Sequence, residues 1–185
     1  VQTLEKVENG YGAVTVFNYT KLNNKWMHVT TVDTWDGVAA KYTPNSRPQT
    51  RLSYDRTSAT TCFDSEGSPC HLAPMPPSDS LVGFSGVTIL TQDGGWTTLV
   101  KQVLTFKNDN YWLLGKELTR STQTSAGVEL SSDSYTWQEF GGDDQLQSEI
   151  HTQGDRAGVF LSRETKYYYD DAAYGALIKK EEYEK

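Results

Sequence analysis

The 185-residue sequence is poor in several residue types at once: two cysteines, two methionines and three histidines. Each scarcity removes a class of function. His28, His71 and His151 are scattered without metal-ligand spacing, and none stands with a serine and an aspartate in a hydrolase-like motif. No apolar run nears the roughly 18 residues of a membrane-spanning helix. Basic charge is short as well. The net charge of −7 argues against a nucleic-acid partner, which asks for a basic stripe. The opening "VQTLEKVENGYG" has neither the basic start nor the apolar centre of a signal peptide, and it lacks an initiator methionine. That combination is expected of a processed product or of a piece of something longer.

Helical periodicity is scarce too. Only Ala172–Lys185, with its Lys-Lys-Glu-Glu run, invites a helix, but Gly175 interrupts it. The stretch "ALIKKEEYE" fits a charged edge strand, and strand is the favoured reading. What the chain has in abundance is period-two alternation of apolar or β-branched residues with polar ones. It runs through Ala13–Thr20, Trp26–Trp35, Gly86–Gln92, Trp96–Phe106, Lys116–Thr124, Val128–Phe140 and Val159–Asp170. Such runs are strands with one covered face. Between them stand "NGYG", "DG", "QDGG", "SAGV", "GGDD" and "GDRAG", which are expected to supply the positive-φ residues of tight hairpins. The fold class that follows is all-β, antiparallel hairpins in sequence order forming a long twisted or curved sheet, in one domain over residues 1–185; the resemblance described below adds that the sheet is part of a β-shell.

Residues 44–80 behave differently. All six prolines lie between Pro44 and Pro77, and proline at this density excludes central strands. A long excursion is expected, with one short strand at Thr50–Arg56. Cys62 and Cys70 enclose "FDSEGSP" there, and either form a local disulfide in an oxidising compartment or remain spectators.

Tyr169-Asp170 followed by Tyr174-Gly175, within "YYYDDAAYGALIKKEEY", resembles a YD repeat of the RHS family. The gap is longer than in the simplest units, and Ala176 replaces the usual asparagine. "VENGYGAVTVFNY" is similar to the Asn-Gly-x-Gly segments that open RHS modules. "LVGFSGVTILTQDGGWTTLVKQVLTF" followed by "LLGKELTRSTQTSAGVELSSDSYTW" resembles a further stretch of those shells, in the same order. The resemblance covers about two thirds of the chain. It implies a structural segment of a secreted or cell-surface shell, related to animal teneurin-type receptors, that encloses cargo or mediates surface contacts. Partners would be the rest of a larger parent polypeptide, or copies of the chain joined through sheet edges. RHS cores end in an aspartate-based self-cleaving segment. None is recognisable here, so no catalytic activity is carried over, and neither cofactor nor metal is expected.

Individual residues fit that reading. Gly10, Gly12, Gly95, Gly115, Asp170 and Gly175 are assigned to turns. Asp170-Asp171 as a glycosidase pair would need two carboxylates on opposed surfaces, whereas neighbours in a strand point to opposite faces. Trp26, Trp35, Trp96, Trp112 and Trp137 either pack across strands or line an aromatic binding face. In an unbroken strand, Trp26 and Trp35 would point to opposite sides. Asn18-Tyr19-Thr20 is a formal glycosylation sequon in mid-strand. Two alternatives stay open: a carbohydrate- or surface-binding β-sandwich, and a small β-barrel carrying an apolar ligand.

Overall fold

A computed structural model describes residues 3–22, 26–39, 41–43, 46–61, 81–107, 113, 115–140, 143–154, 159–170 and 175–185. Side chains at 22, 26, 56–61, 81–83, 139–140 and 143–144 are not described. Eleven strands follow one another: β1 (Lys6–Glu8), β2 (Val14–Leu22), β3 (Trp26–Trp35), β4 (Thr50–Thr61), β5 (Leu81–Asp93), β6 (Thr98–Lys107), β7 (Lys116–Thr124), β8 (Glu129–Phe140), β9 (Asp143–Gly154), β10 (Phe160–Asp170) and β11 (Ala176–Glu184). They form a single 11-stranded sheet whose spatial order is the sequence order, an antiparallel meander. The sheet does not close, and no second sheet packs on it among the described strands. The sandwich and barrel arrangements are therefore not the fold. Short turns favour this where they are described: Asn9–Ala13, Asp93–Thr97 and Thr124–Gly127 each link a strand to the next. No helix is present among the described residues, and so none long and apolar enough to cross a membrane.

The final stretch is a strand, as its charge pattern indicated. Three elements exceed expectation. The excursion contains a full-length strand, β4, because Pro48 lies before it and Pro69 beyond it. β1 and β9 had no alternating signature strong enough to name them. In β9, "DDQLQSEIHTQG", Leu146 and Ile150 are the only aliphatics.

Among the described pairings, the register slips by one residue at four places. Asn18 faces Thr31 while Tyr19 faces Val29, leaving Thr30 as the extra residue in β3. The same accounting singles out Leu130 in β8, Gln147 in β9 and Ile178 in β11. A bulge exchanges the face that each later residue occupies. The parity argument for Trp26 and Trp35 assumed an unbroken strand and does not run through Thr30.

Contacts divide the chain into two compact units. The first comprises residues 1–55, 88–102 and 124–127. Among its described residues, Val14, Trp35 and Pro48 are buried apolar ones. The Trp35 indole meets the Tyr42 ring edge-on at 4.9 Å between centroids and donates its N–H to the Arg47 carbonyl at 2.9 Å. The second comprises residues 56–87, 103–123 and 128–185. There Leu113 is the buried apolar residue among those described, alongside the polar Gln145 and Thr165. A sheet without a second layer covers its side chains sideways, by their neighbours across the strands. Long amphipathic residues such as tyrosine and lysine suit that task because a stem or ring packs while the polar tip stays wet.

Candidate functional site

Two features of the first unit recur as one piece of geometry. In the turn from Asn9 to Ala13, the Asn9 side-chain oxygen accepts the N–H groups of Tyr11 and Ala13 at 3.0 and 2.9 Å. In the turn from Asp93 to Thr97, the Asp93 carboxylate accepts those of Gly95 and Thr97 at 2.8 and 2.9 Å. The backbone bonds match as well: Asn9 N–H to the Ala13 carbonyl and Gly12 N–H to the Asn9 carbonyl, Asp93 N–H to the Thr97 carbonyl and Trp96 N–H to the Asp93 carbonyl. Thr124 accepts from Gly127 in the same way. The left-handed position is the fourth in each, Gly12 at φ 88°, Gly127 at 82° and Trp96 at 66°. In "QDGG" the expectation was that a glycine carries the positive φ. The structure puts it one residue past them, on a tryptophan. Gly10 and Gly95 lie within their turns without a left-handed φ, while Gly115 and Gly175 have φ of 73° and 71°. Gly175 donates to the Asp170 carbonyl at 3.1 Å, closing the β10–β11 connection, and Asp170 pairs with Ala176.

A left-handed tryptophan costs on the order of 1–2 kcal/mol against glycine. What holds it is a stack. The Arg51 guanidinium lies 3.7 Å from the Trp96 ring centroid. Arg51 is fixed in turn by Asp33, directly opposite it across β3 and β4, through bonds of 2.5 and 2.7 Å. Asp33 is 5% exposed and also accepts from the Asn18 amide at 3.3 Å. That same amide nitrogen donates to the Thr31 hydroxyl at 2.8 Å, so the sequon asparagine is engaged in the folded strand. Neither Asp33 nor Arg51 was singled out from the sequence. The available signal was a carboxylate at Asp33, two positions from Trp35 and thus on the same covered face of β3.

The other tryptophans are dispersed in role. Trp35 is buried; Trp137 donates to the Glu117 carbonyl at 2.7 Å and lies 5.0 Å beneath the Lys116 ammonium. The Trp26 side chain and Trp112 lie outside the described residues, as do Cys62, Cys70, Asp171 and Tyr174.

In the second unit, polar groups concentrate on β9, β10 and β11. A shallow depression of about 870 Å³ is lined by Glu149, His151, Arg163, Thr165, Lys180 and Glu182, among others. Charges of both signs line it, and the His151 ring nitrogen sits 2.5 Å from the Asp133 carboxylate. Nearby, Glu181 gathers three partners: the Lys179 ammonium, the Tyr183 hydroxyl at 2.5 Å and the Tyr168 hydroxyl at 2.8 Å. These bonds, with the Lys179 one largest, hold the Glu181 carboxyl down at about 2, while Tyr183 is raised chiefly by the same carboxylate. Burial, then the bond to Glu149, pushes Tyr167 up to about 12. Glu181 has a depressed folded value, so its contribution is present above the ordinary carboxyl range near 4.5 and lost as pH falls through about 2. A carbon-detected NMR titration of the Glu181 carboxyl is expected to give a midpoint near 2; a midpoint near 4.5 would show that the three-partner cluster does not persist in solution.

Among the described residues, no group of three metal-ligating side chains converges. No family model matches the chain, and no curated protein matches it.

Proposed function

We propose that the chain is a structural segment of a larger secreted or cell-surface β-shell of the RHS/YD-repeat kind, a wall that encloses or presents cargo or mediates surface contacts. The observation that carries this reading is the unbroken meander from β1 to β11. Its outermost strands have no further partner among the described residues. A wall of this kind grows by adding hairpins, each covering the flank of the last. The repeated side-chain-capped turns at Asn9 and Asp93 support it, since they build the same corner twice. No residue is proposed as a catalyst.

An antibody raised against this chain tests the reading. On a denaturing gel of the source cells and their medium, it is expected to detect a polypeptide well above 20.7 kDa, secreted or open to surface labelling. A 20.7 kDa species confined to the cytosol overturns the proposal.

A further inference from the structure

We infer that the Asn9–Gly10 corner is a self-modification site: Asn9 exchanges its amide for a carboxylate, and the corner keeps its shape through the change. The substrate is the chain itself, and water is the co-reactant.

The sequence supplies the reacting pair. Asn9-Gly10 is the only Asn-Gly in the chain, and glycine leaves the peptide nitrogen between the two residues unshielded by a Cβ. Both residues are exposed, and nothing lies within 4 Å of where a Gly10 Cβ would stand. The corner occupies its other N–H groups. Asn9 donates to the Ala13 carbonyl, Gly12 to the Asn9 carbonyl, and Tyr11 and Ala13 to the Asn9 side chain. The Gly10 N–H has no acceptor among the described residues. It belongs to the nitrogen whose attack on the Asn9 Cγ closes a five-membered ring.

Donors stand where that attack develops charge. The Gly10 nitrogen, its proton lost to solvent base, bonds to Cγ, and negative charge gathers on the side-chain oxygen. That oxygen already accepts the Tyr11 and Ala13 N–H groups at 3.0 and 2.9 Å, the arrangement of an oxyanion hole. The Cγ–Nδ2 bond then breaks, ammonia leaves with a proton from water, and a succinimide remains. Water adding at Cγ breaks the newly formed bond and gives aspartate. Water adding at the main-chain carbonyl reroutes the backbone through Cγ and gives isoaspartate.

The two products fare differently in this corner. Asp93 occupies the equivalent position with a carboxylate, which accepts the Gly95 and Thr97 N–H groups at 2.8 and 2.9 Å. Charge strengthens such bonds, so an aspartate at position 9 fits without rearrangement. Isoaspartate lengthens the backbone by one methylene and breaks the Asn9–Ala13 and Gly12–Asn9 bonds that lead into the β1–β2 pairing. The backbone has no slack on the Gly37 side, where an added Cβ would lie 2.5 Å from the Gly12 carbonyl carbon. Isoaspartate therefore recloses to the succinimide, while aspartate is held and accumulates.

The unaltered chain is incubated in warm, mildly alkaline buffer, separated by ion exchange and read by electron-transfer fragmentation. It is expected to yield an acidic species with aspartate at position 9 in excess of isoaspartate. In urea, with the corner undone, isoaspartate is expected to predominate, because the main-chain carbonyl is the more electrophilic of the two. Gly10→Ala fits the open space and is expected to slow the reaction about tenfold, with circular dichroism checking that the strands remain. Asn9→Asp, the product made directly, is expected to melt no lower than the unaltered chain. An Asn9 that keeps its amide in the folded chain, isoaspartate in excess there, a Gly10→Ala chain that reacts at the unaltered rate, or an Asn9→Asp chain that melts lower overturns the inference.

Discussion

Replacing Arg51 with alanine is expected to lower the unfolding free energy by about 3 kcal/mol, read from urea or thermal denaturation. Asp33 is 5% exposed, and its two bonds to Arg51 are short and side by side. Removing the guanidinium strands a carboxylate that water cannot reach well, with the Asn18 amide at 3.3 Å as its remaining partner in that cluster. The same substitution removes the cation that lies on the Trp96 ring. Arg51→Lys is expected to recover only part of the loss, because an ammonium can neither fork onto both carboxylate oxygens nor lie flat against the indole. Asp33→Ala combined with Arg51→Ala is expected to cost less than the sum of the two, since no charge is left buried alone. A loss below about 1 kcal/mol for Arg51→Ala would place this pair with ordinary surface ion pairs.

The second large effect is at Gly37. Its φ is 78°, and a Cβ added there would lie 2.5 Å from the Gly12 carbonyl carbon and 2.6 Å from its oxygen. Both are backbone atoms and cannot rotate away. Gly37→Ala is expected to cost about 3–5 kcal/mol, combining left-handed strain with overpacking. Gly115 separates the two contributions. Its φ is 73°, but nothing lies within 4 Å of the added carbon. Gly115→Ala is therefore expected to cost about 1 kcal/mol, the conformational part alone. Equal losses at the two sites would mean that the approach of Gly12 to Gly37 relaxes without cost.

How much of this was legible follows from what a one-layer sheet demands of its sequence. β3 and β7 were bounded to the residue, and β2, β6, β8 and β10 to within two, because alternating β-branched and aromatic residues mark them. β9 escaped because burial by lateral neighbours does not require an apolar face. Glutamine, serine and threonine serve there, with Gln145 buried among them. The turns were legible as turns, yet the residue under strain was not. Trp96 follows two glycines, and glycine's tolerance of positive φ drew attention to the wrong position. The Asp33–Arg51 pair joins residues 18 apart across two strands; a strand at Thr50–Arg56 was expected, but its register against β3 follows from no pattern in either segment. Glu181 could be read as part of a charged edge, but not as the acceptor of two tyrosine hydroxyls, which depends on the bulge at Ile178.

The absence of a second layer has a thermodynamic consequence. When each hairpin is fastened only to the ones beside it, cohesion is a chain of neighbour-to-neighbour terms with no shared interior to lose all at once. Heat would then peel such a molecule from its rims inward, the outermost ribbons exchanging their amide protons long before the middle ones. A partner that covered either rim would raise the temperature at which the peeling begins.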